Sequence, residues 1–276
     1  MNAVVVSGAS TGIGFAATQG LAQAGYTVFA GVRNDDDARR LAGLGANVKP
    51  VRLDVTDSAS IAAARDEVLA SGLPLRAVVS NAGVALAGPL ETVPIDDLRR
   101  HFDVNVFGAV AFVQAFLPSL PTGGRVVFIG SISGRLAAPY IGPYSASKFA
   151  LRAIADAMRV ELAPADIAVT LIEPGSVKTP IWAKGREQRA TMEAQLATSS
   201  RPHYRAALER LFEITKGEER DGMPVETVAK AIVAAVAAPR PRAAHIVGAS
   251  AKMAGVIATL PTAFRARFMR ARMKLP

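Results

Sequence analysis

The sequence predicts an α/β protein: one doubly wound parallel sheet with helices on both faces. Three observations lead there. Short apolar runs alternate with helical patterns from one end of the chain to the other, which is the pattern of a parallel sheet joined by crossover helices. The first apolar run, residues 4–6, passes straight into the glycine-rich turn Ser7-Gly8-Ala9-Ser10-Thr11-Gly12-Ile13-Gly14. No composition break or internal repeat divides the 276 residues, a length that suits one large domain. The expected organisation is a single domain over residues 1–250, with a polar insertion at 176–222 and a basic tail at 251–276.

The elements follow in order. Val4-Val5-Val6 is a short buried strand, and the helix after the glycine turn runs to about residue 24, where Gly25 ends it. Residues 26–30 form a second strand and 48–53 a third, weakened by Pro50. A helix over 58–70 starts behind an Asp57 or Ser58 cap. A fourth strand at 77–79 leads into Ser80-Asn81-Ala82-Gly83. A long helical stretch covers 95–117, and a fifth strand at 125–129 ends at Gly130-Ser131. Pro143 suits the first turn of the next helix. Along that helix Leu151, Ile154, Ala155, Met158 and Leu162 make one apolar face. A sixth strand at 168–172 precedes Glu173-Pro174-Gly175, and a seventh covers 244–247. Residues 176–222 carry short helical patterns and no strand signal; insertions of that kind are often lids or binding loops.

Composition removes several classes of function. The chain has no cysteine, which excludes disulfides and thiolate chemistry. Its three histidines, at 101, 203 and 245, lack metal-ligand spacing, so no metal site is expected. No long unbroken apolar window suggests a membrane span, and Met1-Asn2 leads into the first strand without a leader pattern, so a cytoplasmic location is expected. The net charge of +9 is uneven: Lys252, Arg265, Arg267, Arg270, Arg272 and Lys274 supply +6 of it with no acid among residues 252–276. The basic character belongs mainly to that tail, and no nucleic-acid partner is expected.

Two motifs carry chemistry. Tyr144 and Lys148 in Tyr144-Ser145-Ala146-Ser147-Lys148 are one helical turn apart and share a side. A nearby ammonium favours the phenolate, so the pair is expected to lower the phenol pKa and make Tyr144 a proton donor or acceptor near neutral pH. Gly8, Gly12 and Gly14 permit a close backbone approach to a diphosphate at a helix N-terminus, or simply the packing of helix on strand.

These motifs do not stand alone. The glycine turn, Asn81-Ala82-Gly83, Asn105, Ser131, Tyr144-x-x-x-Lys148 and Pro174-Gly175-Ser176-Val177-Lys178-Thr179 occur in this order, and in this the chain resembles the short-chain dehydrogenases/reductases. The resemblance spans about residues 3–180 and extends more loosely to 250. One departure is Ser7, where the family usually has Thr; the hydroxyl is kept. The resemblance implies a Rossmann-type fold and a role for each position. Tyr144 would be the general acid/base, and Lys148 would tune it and hold the nicotinamide ribose. Ser131, with Ser133 as the competing candidate, would bind the substrate oxygen, and Asn105 would sit at a helix break and hold a water in a proton relay. Gly8, Ser10, Thr11, Gly12, Ile13 and Gly14 would cradle the diphosphate. Asp54 and Val55 would line the adenine, and Asn81, Ala82 and Gly83 would close the pocket. Pro174, Gly175, Val177 and Thr179 would hold the nicotinamide amide end.

The expected activity is interconversion of an alcohol and a carbonyl. An NAD-preferring site has an acid after the second strand; here Val32 stands there, and Arg33 is able to pair with a 2′-phosphate. NADP(H) is therefore expected ahead of NAD(H). Asp35, Asp36 and Asp37 are expected in a solvated loop. Branch-level likeness to 17β-hydroxysteroid and retinol dehydrogenases implies a bulky apolar alcohol or ketone, with Leu136, Tyr140 and Trp182 walling its pocket. The alternative is a catalytically idle nucleotide-binding redox sensor or scaffold, against which stand the four filled catalytic positions. By the same resemblance a homo-oligomer, dimer or tetramer, is expected. Phe264, Phe268, Ala271 and Leu275 share one side of a helical tail, which fits either packing on the protein or peripheral contact with a membrane.

Overall fold

The structure, a computed structural model, describes residues 1–181, 193 and 203–273. Seven strands form one sheet: β1 (Ala3–Val6), β2 (Thr27–Val32), β3 (Val48–Arg52), β4 (Leu75–Ser80), β5 (Arg125–Ile129), β6 (Ala168–Pro174) and β7 (Ala244–Val247). Every neighbouring pair is parallel, in the order β3-β2-β1-β4-β5-β6-β7. Pro50 is tolerated because β3 is the edge strand.

Strand alternation divides the core into two layers. Val4 and Val6 of β1 face α1 (Gly12–Gln23) and α8 (Val225–Ala237), where Leu21 and Ile232 are fully buried. Ala3 and Val5 face the other way, toward α3 (Ser58–Ala70), α5 (Ala109–Phe116) and α6 (Gly142–Glu161). Phe112 and Phe116 pack edge to face there with ring centres 5.3 Å apart, and burying side chains of this size contributes about 1.5–3 kcal/mol each. The N-terminus of β5 is held by Arg125, whose guanidinium donates to the Gly124, Ala238 and Pro239 carbonyls at 3.0, 3.1 and 2.9 Å.

Several sequence expectations need correction. The aspartates at 35–37 are not in a loop: they form the first turn of α2 (Asp35–Ala42), capped by Asn34, and acids are stabilised at that end of a helix. The helical stretch at 95–117 is three pieces: α4 (Ile95–Phe102), a wider π-helical turn (Asp103–Gly108) and α5. The run from Ile95 to Ser119 is long and apolar enough to cross a membrane by composition, yet here it packs on the sheet through Phe112, Val113 and Phe116. Inside the 176–222 segment lies α7 (His203–Asp221), 19 residues and not a short piece. Val177 and Met223 bridge strand-like across the base of that segment. Residues 249–273 are helical too, as α9 (Ala249–Ile257) and α10 (Thr262–Met273). The buried residues of α10 are Met269 and Met273, whereas Phe264, Phe268 and Ala271 are exposed; Leu275 lies outside the described residues.

Candidate active site

The strand order reverses between β1 and β4, and in such sheets the crevice lies beyond the carboxyl ends of the strands at that point. A cleft of about 1380 Å³ lies there. Gly8, Ser10, Thr11, Gly12, Ile13, Arg33, Asp54, Val55, Asn81, Ala82, Gly83, Ser131, Leu136, Tyr144, Lys148, Pro174, Gly175, Val177 and Thr179 all line it.

The glycine turn and the segment after β4 brace each other. The Ser7 hydroxyl accepts from the backbone N–H groups of Asn81 and Ala82 at 3.0 and 3.1 Å. The Asn81 amide donates to the Ser7 and Gly8 carbonyls at 3.1 and 2.9 Å. A side chain on Gly8 would meet the Ala82 backbone at 2.8 Å, and Gly8 and Gly12 have φ of +63° and +57°, conformations that favour glycine. Gly14 does not line the cleft. A Cβ there would lie 2.2 Å from the Gly8 carbonyl oxygen, so its smallness seats α1 against the turn. No side chain caps the start of α1 and no acid lies in its first turn. The positive end of the helix therefore faces the cleft beside Gly12 and Ile13, a cradle suited to a diphosphate. Thr179 comes over the turn from the β6 side, its methyl 3.2 Å from where a Gly12 Cβ would stand.

At the end of β2, Val32 and Arg33 both line the cleft. Asp54 is held below the ordinary carboxylate range, first by the Thr56 hydroxyl at 2.7 Å and also by the nearby Arg33 charge. Asp37, which lines the cleft too, is already engaged by Asn34 and by Arg40 at 2.8 and 2.6 Å. Arg40 reaches back to the Ser10 carbonyl, tying α2 to the glycine turn. Nothing local in the sequence marks Arg40 for that position.

At the other end, Ser131 begins a short turn after β5 and accepts from the Ser133 backbone N–H at 3.1 Å; Ser133 also lines the cleft. The Ser131 side chain lies beside the Tyr144 hydroxyl. Lys148 is buried and donates to the Ile129 carbonyl at 2.9 Å. Burial disfavours its charge and lowers its pKa to about 8. The Tyr144 phenol is not lowered as expected: burial pushes it up, and the neighbouring Ser131 side chain pulls against that. The same dry surroundings that bring the two groups together penalise the charge on each.

Asn105 stands in the π-helical turn, buried behind the cleft and not lining it. Its Oδ1 accepts from the Val84 N–H at 2.8 Å, and its amide donates to the Val84 carbonyl at 2.9 Å. The same amide lies 3.0 Å from His101 Nε2 and 3.1 Å from the Ser147 hydroxyl. The structure buries His101 edge-on to Tyr144. Burial, with the Lys148 charge beside it, lowers its pKa to about 4 and keeps it neutral at pH 7.

The walls beyond Tyr144 are apolar: Leu136, Ile141, Ile214, Met253, Ile257 and Phe268. Tyr140, expected among them, does not line the cleft. Its positive φ of 64° turns the chain, and its ring packs with Tyr204 and the Leu208–Phe212 cluster under α7. Trp182 lies outside the described residues. Glu173, fully buried at the end of β6, accepts from Arg135 at 2.6 Å and from Arg152 at 2.9 Å. It ties the Ser131 turn and α6 to the strand that carries Pro174.

Comparison with known proteins shows what the chain as a whole is similar to. The family model described as short chain dehydrogenase matches residues 2–190. An NADPH-dependent 3-dehydrocapnine reductase of Ornithobacterium rhinotracheale is 35% identical over 260 residues, covering 90% of this chain and 88% of that one. Human 17-beta-hydroxysteroid dehydrogenase type 1 is 34% identical over 253 residues, 86% of this chain and 75% of that one. A Burkholderia cenocepacia short-chain dehydrogenase solved with NADP is 25% identical with a TM-score of 0.72, covering 100% of this chain and 98% of that one.

Proposed function

The chain belongs to the short-chain dehydrogenase family of NAD(P)-dependent oxidoreductases acting on CH–OH groups, and from that premise we infer that it is an NADPH-dependent reductase of a ketone carried on a long or bulky apolar body. The observation that carries this reading is the meeting of Ser131, Tyr144 and Lys148 in one cleft with the glycine cradle at one end and apolar walls at the other. The Gly8–Gly12 turn fits a dinucleotide because the uncapped N-terminus of α1 opens on the cleft beside Gly12 and Ile13. Arg33, with Val32 in the place of an acid, supports NADPH over NADH, as does the relative described as NADPH-dependent.

When bound, the dinucleotide supplies hydride to the carbonyl carbon. Negative charge then grows on the carbonyl oxygen. The Ser131 and Tyr144 hydroxyls are the donors that stabilise it, and Tyr144 gives up the proton that completes the alcohol. Lys148, held by Ile129, keeps a positive charge beside the phenolate that remains. Asn105 fixes the Val84 backbone at the wall of the same pocket. The names of two relatives, a 3-dehydrocapnine reductase and a hydroxysteroid dehydrogenase, support an apolar ketone as substrate. Phe107, Phe149 and Val160 are exposed on the helices around α5 and α6 and support a dimer or tetramer, which light scattering against the 28.8 kDa chain mass would test.

The experiment is NADPH oxidation across long-chain 3-keto amines, steroids, retinoids, long-chain aldehydes and small ketones. Turnover that rises with the apolar length of the ketone supports the reading. No turnover of any carbonyl, with NADPH still bound, would favour the idle redox sensor.

A further inference from the structure

The last two helices put an apolar and basic surface at the rim of the cleft. α9 leaves Met253 and Val256 64% and 63% exposed, and Leu260 follows in the turn after it. On α10, Phe264 is 63% and Phe268 39% exposed. At 3.6 residues per turn, Phe264, Phe268 and Ala271 share one side of α10, while Met269 and Met273 share another. The methionine side is buried, and Met273 packs against Leu208, Leu211 and Phe212 of α7. Among the described residues, the phenylalanine side leaves Phe264 and Phe268 exposed. Arg267 borders it on one flank, and Arg265 and Arg272 on the other. Residues 249–273 hold five basic side chains, Lys252, Arg265, Arg267, Arg270 and Arg272, and no acid.

We propose that this surface docks the protein on an anionic lipid bilayer, with α9 and α10 lying among the headgroups. Charge selects the occupant. A second copy meeting this face symmetrically would set the exposed Lys252 and Arg267 against like charges. Anionic headgroups complement these cations instead, and their stems lie along the apolar face while their charged ends reach phosphate. The position gives the docking a use. Met253 and Phe268 belong both to this surface and to the cleft wall, so a docked molecule opens its apolar end toward the acyl chains. Delivery of substrate by this route rests on the reductase reading; docking itself does not.

The test is co-sedimentation of the full chain with phosphatidylcholine vesicles with and without phosphatidylserine. The wild type is expected to partition at least ~10-fold more onto the anionic vesicles at low salt and to come off as salt rises. Val256→Ser/Phe264→Ser, which replaces no residue that lines the cleft, is expected to keep its thermal midpoint and its turnover of a soluble ketone and to lose at least ~10-fold in partition. Arg267→Glu serves as a second variant should the double one fail to fold. Equal partition of the wild type and the folded variants, or no difference between the two vesicle types, would overturn docking. So would a wild-type oligomer that ignores vesicles and falls apart in the double variant, since the face would then belong to a second copy. Vesicle binding without turnover of any ketone would leave docking in place and overturn the reductase reading alone.

Discussion

Lys148 holds its ammonium 5.7 Å from the centre of the Tyr144 ring while donating to the Ile129 carbonyl at 2.9 Å. Its pKa of about 8 makes it cationic at neutral pH at a cost to stability. The unfolded chain keeps that proton up to the ordinary lysine range near 10.5, while the folded chain loses it near 8. Between those values the unfolded state binds more protons, so stability rises with pH. The expected gain is on the order of 3 kcal/mol. Thermal melts of the wild type and Lys148→Met across pH 7–11 check it: the variant should lack this rise.

His101 has the same sign in the acid range. Buried and neutral, with a pKa of about 4 against an ordinary 6.5, it contributes a loss of stability as pH falls from about 6.5 to about 4. His101→Gln keeps an acceptor for the Asn105 amide and removes the titration. Its melts should lose on the order of 3 kcal/mol less across that window than the wild type does.

Glu173→Gln should destabilise the protein by about 2–3 kcal/mol. Breaking a buried pair costs about 3–5 kcal/mol, but the Arg135 and Arg152 side chains are 23% and 30% exposed and retain a path to water. Urea unfolding gives the number, and KM should rise because the Ser131 turn and α6 lose their shared anchor.

Arg33→Ala should weaken NADPH by about 10- to 100-fold and leave NADH almost unchanged, since a charge-assisted hydrogen bond contributes about 1.5–3 kcal/mol. Fluorescence titration of both cofactors reads this directly. Tighter binding of NADH than of NADPH by the wild type would contradict the assignment.

What was legible in the sequence follows from locality. Val4–Val6 and Val126–Ile129 are buried on both sides, so they read as unbroken apolar runs and mark the strand ends from which the site is built. Gly8 and Gly12 are legible because positive φ leaves few other residues. What failed depends on tertiary contact. The apolar residues of α7, Leu208, Leu211 and Phe212 among them, form a narrow stripe between Arg205, Glu209, Arg210 and Glu213, so charge masks the period. His101 stands one helical turn before Asn105, but only the packing of α4 on α6 brings it to Tyr144. Tyr140 looked like a pocket wall from its place before the Tyr144 helix, and its backbone conformation sends it elsewhere.

In the proposed reduction the Tyr144 hydroxyl delivers the proton. The direct measurement is NADPH oxidation by Tyr144→Phe beside NADPH binding by the same protein. The change removes one hydroxyl, the one beside Ser131, and little volume. Turnover should fall at least ~100-fold, the scale of a positioned acid, with NADPH affinity within about twofold of the wild type. A variant that binds NADPH normally and reduces ketone at the wild-type rate would contradict the mechanism.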